Sequence, residues 1–153
     1  MHSRFSITFL LLSFFVGINL SFAQTQVRYA TITENVLANT NWKVDRVPFE
    51  NNEQKNYTLS TKSVDDNFDA HWGHFISFTE KTFTSSYSAP CGNDCFTSVS
   101  GEYSFVARMT IKVKVISIVR IGFCSEKSET QNKDYGNYEL TKIETGWKLT
   151  KSE

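Results

Sequence analysis

The chain has 153 residues, with 16 Lys and Arg against 16 Asp and Glu, so it is formally neutral. That length suits a single domain. A composition of 14% aromatic and 21% charged residues excludes an intrinsically disordered chain. Neutrality without basic clusters argues against a nucleic-acid partner, because phosphate binding needs several Lys or Arg on one face.

Residues 1–23 read as a secretory signal peptide. Met1, His2, Ser3 and Arg4 form a short basic start, and an apolar run from Phe5 to Leu20 follows. Ser21-Phe22-Ala23 then places small residues at the −3 and −1 positions before Gln24. The run is short for a hydrocarbon core about 30 Å thick, so a cleaved leader is expected rather than an anchor. No Cys stands at the junction to accept a lipid. The expected mature protein is therefore secreted or periplasmic, cut after Ala23, with no membrane span of its own. Residues 24–39 form an N-terminal arm, within which Val27–Leu37 suits a short helix or an extended segment.

From residue 40 onward, short β-rich runs alternate with polar turns, which is the all-β pattern. Trp42–Val47 alternates and stops at Pro48. Phe49–Asn56 is polar and turn-like, and Tyr57–Ser60 is a weak strand. Trp72–Phe78 and Thr82–Tyr87 flank the turn Thr79-Glu80-Lys81. Gly101–Ala107 and Thr110–Val119 make the clearest pair, with Ile111, Val113 and Val115 facing one side and Lys112 and Lys114 the other. Glu126–Asn132 reads as a charged loop, and Tyr135–Ile143 with Gly146–Leu149 as a closing hairpin. About seven or eight strands of ordinary length result. Sequential hairpins predict an up-and-down antiparallel β-barrel spanning residues 40–153, since closure removes exposed edges. The alternative is a sandwich, but the Cys…Trp…Cys order of immunoglobulin domains is absent.

Asn39-Thr40-Asn41-Trp42, Phe75–Phe78 with Phe83 and Tyr87, Gly101-Glu102-Tyr103 and Gly146-Trp147-Lys148-Leu149 together resemble the small lipocalin-like domains of secreted bacterial proteins, within the calycin group. Thr40 stands where the usual Gly-x-Trp of the first strand has its glycine. The resemblance implies a barrel without fixed functional residues, because ligand contacts in such barrels vary freely.

Three cysteines, Cys91, Cys95 and Cys124, lie beyond the leader. Export favours disulfides, and an odd count allows at most one internal bridge. Pairing Gly101–Ala107 with Thr110–Val119 brings Cys124 beside the Cys91–Cys95 turn without separating the two partners. The reading leans to Cys91–Cys124, with Cys95–Cys124 and Cys91–Cys95 as alternatives. A zinc site from Cys91, Cys95, His71 and His74 has the right donor types. Its spacing is poor, since i and i+3 on a strand face opposite ways, so no metal or other cofactor is expected.

No G-x-S-x-G elbow, P-loop, G-x-G-x-x-G or H-E-x-x-H occurs. Pairing Cys95 or Cys124 with His74 would need a lowered thiol pKa that nothing in the sequence signals. A non-enzymatic protein is expected. Trp42, Trp72, Phe75, Phe78, Tyr87 and Tyr103 are the candidates to line a cavity for a small apolar ligand, in or at the mouth of the barrel. The same residues also suit plain core packing. The second hypothesis is a protein–protein module or inhibitor of the cell envelope acting through the loops Pro48–Asn56, Ser60–Asp69 and Cys91–Cys95. Asn56-Tyr57-Thr58 matches a glycosylation sequon, relevant only in a eukaryotic host.

Overall fold

The computed structural model describes residues 34–61, 72–90 and 92–152. Eight antiparallel strands close into one barrel: β1 Thr40–Val44, β2 Asn56–Ser60, β3 Gly73–Phe78, β4 Thr82–Ser88, β5 Cys95–Ala107, β6 Thr110–Gly122, β7 Glu129–Ile143 and β8 Gly146–Lys151. The expected leader, His71, Cys91 and most of Ser60–Asp69 lie outside the described residues. Of the expected arm, residues 34–39 are described. They form a turn, not a helix.

Round the barrel the order is β1-β2-β8-β7-β6-β5-β4-β3. From β3 to β8 the chain is a continuous up-and-down meander. The first hairpin is inserted in reverse, so β2 pairs with β8 and β1 with β3. Since β2 and β3 both run antiparallel to β1, they are parallel to each other.

The two largest extensions beyond the expected bounds, in β5 and β7, have one reason: polar residues can continue a hairpin whose pairing is already set. Glu129–Asn132 belongs to β7 rather than to a loop, with Glu129 opposite Ile118 and Thr130 opposite Ser117. Likewise β5 begins at Cys95, opposite Gly122. Alternation then sorts the side chains. On β6, Ile111, Val113 and Val115 are buried, whereas Lys112 and Lys114 are exposed.

Each end closes differently. At the turn end, Asn35 Oδ1 accepts the N–H groups of Leu37 and Ala38, both at 3.1 Å, which folds Leu37 into the core. Its amide Nδ2 donates to the Tyr103 hydroxyl at 2.9 Å, and that hydroxyl donates to the Thr79 carbonyl at 2.7 Å. The opposite, loop end gathers residues 45–55, 89–90, 92–94 and 123–128.

The register shift between Ser100 and Gly101 bends β5 and lets the Phe83 ring lie against the Gly101 backbone. A methyl group built on Gly101 would stand 2.6 Å from that ring and closer still to the Lys114 carbonyl. Gly101→Ala is accordingly expected to destabilise the fold by about 1–3 kcal/mol in urea unfolding, with the far-ultraviolet spectrum of the survivor unchanged.

Candidate functional site

The middle of the barrel is occupied by the chain itself. Val47, Pro48 and Phe49, three apolar residues at the start of the loop after β1, are all buried, and Phe49 is completely so. The Phe49 ring meets Phe83 at 4.9 Å, Tyr57 at 5.1 Å and Tyr138 at 5.2 Å between centroids, each edge to face. Its backbone sits in the left-handed region, φ 64°, which is unfavourable for a residue with a side chain. Two hydrogen bonds hold it there. The Phe49 N–H donates to the Tyr57 hydroxyl at 3.1 Å, and the fully buried Ser85 hydroxyl donates to the Pro48 carbonyl at 2.9 Å.

The Tyr138 hydroxyl is buried beside the Tyr57 hydroxyl, and each phenol acts on the other's ionisation. Burial pushes the Tyr57 phenol up to about 12 and raises Tyr138 further, so both stay neutral and able to donate.

Above the plug, at the loop end, lies a polar cavity of about 480 Å³, walled by Glu50–Glu53, Arg120, Glu126, Glu129, Gln131, Lys133 and Tyr135. Arg120 organises it, with a side chain only 5% exposed. Its guanidinium faces Glu126 at 2.9 Å, Glu129 at 3.4 Å and Glu50 at 3.7 Å, and donates to the Lys127 carbonyl at 2.9 Å. The Ser128 hydroxyl accepts the Arg120 N–H and donates to the Arg120 carbonyl, standing in for a neighbouring strand. Among the described residues no cluster of three His, Cys, Asp or Glu is arranged to hold a metal ion.

The expected ligand-lining residues are dispersed. Trp42, Phe78 and Tyr103 are buried in the core toward the turn end, where Phe78 packs edge to face on Tyr103 at 5.2 Å. Phe75 alternates with buried Ile76 on β3 and so takes the outer face, in register with Lys43 and Ser86. Trp72 is half-buried just before β3. Tyr87 stacks between His74 at 4.8 Å and Phe96 at 6.1 Å, and its hydroxyl donates to Asp94. The residues that surround the plug, Tyr57, Phe83, Ser85 and Tyr138, are all different ones. Their signal in the sequence is the apolar island Val47-Pro48-Phe49 inside a polar stretch.

The disulfide joins Cys95 to Cys124, not Cys91 to Cys124. The strand register alone puts Cys95 opposite Gly122. Gly122, at φ 90°, turns the chain back, and the Phe123 N–H bonds to the Asp94 carbonyl at 3.1 Å. Cys124 thereby comes within 4.6 Å of Cys95 between Cα atoms. Such a bridge is compatible with an oxidising compartment.

Comparison with protein-family models, with curated proteins and with solved structures gives no match. The eight-stranded closed antiparallel barrel is consistent with a calycin-like fold.

Two outcomes follow from this geometry. Peptide mapping of the unreduced protein is expected to return a Cys95–Cys124 linked pair, and a Cys91–Cys124 pair would contradict the register above. His74 is the second case. Its Nδ1 is buried without a hydrogen-bond partner among the described residues, and desolvation lowers its pKa, opposed by Asp45 and Glu50 and aided by Arg46. The unfolded chain therefore binds its proton first, and stability should fall as pH drops below about 6.5. His74→Phe is expected to flatten that decline between about pH 6.5 and 5 in thermal melts, above the range where carboxylates titrate.

Proposed function

We propose that this protein is an exported, non-enzymatic, lipocalin-like carrier that takes a small apolar ligand into the barrel interior, in exchange for the Val47–Phe49 plug. One observation carries the reading: the interior is filled by Phe49, a loop residue that reaches the rings of Tyr57, Phe83 and Tyr138 from a left-handed backbone. That conformation costs the plugged state about 1–3 kcal/mol, which a ligand taking the same place would not carry. Mostly apolar walls with a few placed hydroxyls are the ordinary make-up of small-molecule sites. The proposed export rests on the leader at residues 1–23 and the Cys95–Cys124 bridge.

The test uses the fluorescent probe N-phenyl-1-naphthylamine. Saturable binding is expected, and Phe49→Ala should tighten it about tenfold or more by removing the built-in competitor. Absence of saturable binding to both proteins would sink the carrier reading.

A second reading, a protein–protein module or envelope inhibitor working through the loop end, is favoured by Phe123. It is 75% exposed, yet fixed by the neighbouring disulfide and its bond to Asp94. Rigid exposed aromatics are frequent anchors of interfaces. In that case Phe123→Ser would abolish capture of the partner while leaving probe binding intact.

A further inference from the structure

The plug is held as a ligand would be held, and its chemistry is specific. The Pro48 carbonyl and the Phe49 N–H belong to one peptide unit, and both are engaged: the carbonyl by Ser85, the N–H by Tyr57. In a trans amide these two atoms point in opposite directions, so the recognising groups must come from two sides. They do, from β4 and β2 respectively. The aromatic ring attached to that amide is enclosed by Tyr57, Phe83 and Tyr138, from β2, β4 and β7. Ser85 is one of just two polar residues in the buried set among the described residues, and its hydroxyl is given to this carbonyl.

We infer that the barrel interior is a recognition site for an N-acylated amine with an aromatic side arm, of the phenylalanyl type, for which the Pro48–Phe49 unit is the resident stand-in. The inference rests on the carrier reading above and names the ligand class of that same site. A pure hydrocarbon would leave the Ser85 hydroxyl without its acceptor and the Tyr57 oxygen without the N–H it receives, and lost hydrogen bonds at buried hydroxyls are unfavourable. An amide with an aromatic arm satisfies both. Nothing charged is needed, since the rings and hydroxyls that surround Phe49 are all neutral.

The experiment compares three probes on the intact oxidised protein by NMR titration. They are N-acetyl-L-phenylalaninamide, its ester isostere with oxygen in place of the acylated nitrogen, and propylbenzene. The expected result is saturable displacement of the Phe49 ring resonances by the amide, about tenfold tighter than by the ester, which lacks the donor. Propylbenzene should bind more weakly than both. A peptide containing an internal Pro-Phe pair is the fourth arm. Tighter binding of the peptide assigns the natural source to a polypeptide, and binding of the small amide alone assigns it to a free metabolite-sized compound.

Ser85→Ala should lower the ratio of amide to propylbenzene affinity about tenfold. That ratio, taken within one protein, cancels the energy of releasing the plug. Tyr57→Phe, which keeps the ring, probes the N–H contact by the same ratio and serves if Ser85→Ala fails to fold. Propylbenzene binding as tightly as the amide would overturn the ligand class while leaving the carrier reading standing. Failure of all the probes, together with N-phenyl-1-naphthylamine, would overturn both.

Discussion

The loop end of this barrel depends on one peptide unit placed where solvent cannot reach it. Burying the Pro48 carbonyl and the Phe49 N–H is tolerable because Ser85 and Tyr57 replace the water each would lose. With that peptide fixed, the Phe49 ring has one place to go, and the rings of Tyr57, Phe83 and Tyr138 pack around it. The strained backbone at Phe49 is then a consequence: the chain must turn sharply to bring an aromatic from a surface loop into the middle of the sheet.

The plug is tied to the polar cavity above it through the next residue. Glu50 accepts a hydrogen bond from Thr97 at 3.2 Å and faces the Arg120 guanidinium. Arg120 in turn holds the 123–128 loop through Glu126, Lys127 and Ser128, and the Cys95–Cys124 bridge holds the far side of that loop. Thus the apolar interior and the polar rim are not independent. Moving Phe49 outward displaces Glu50, and Glu50 is part of the charge set that keeps a nearly buried cation satisfied. The loop end behaves as a latch whose apolar tongue and ionic catch lie one residue apart.

Much of the barrel was legible in the sequence, and the failures have physical reasons. The alternation from Ile111 to Val115 marks β6 because one face of that strand is buried and the other carries lysines. Glu129–Asn132 gives no such mark, since those residues are all exposed or half-exposed, and their strand state comes from continuing the ladder with β6. The cysteine pairing turned on a single local event, the reversal at Gly122, which register arithmetic does not contain. The order of the first two strands was hidden for a deeper reason: periodicity reports which face of a strand is buried, not which strand lies beside it. Phe49 was concealed by its polar neighbours Glu50–Glu53, which line the rim directly above it. Of the aromatic candidates, the core positions Trp42, Phe78 and Tyr103 were found because they sit on regular strands, whereas the plug enters from a loop.

The reversed first hairpin also sets the order in which the molecule can be finished. The seam that closes the cylinder joins Asn56–Ser60 to residues 146–150, the beginning of the domain to its very end. Six strands can zip as neighbours while the chain is still being delivered, but β2 waits for the final strand before its second edge is covered. A chain threaded through a membrane N-terminus first would therefore carry an open sheet edge for nearly the whole of its passage. Contacts between such distant parts of a chain form slowly, and an uncovered edge in the interval is a place where two incomplete copies can join.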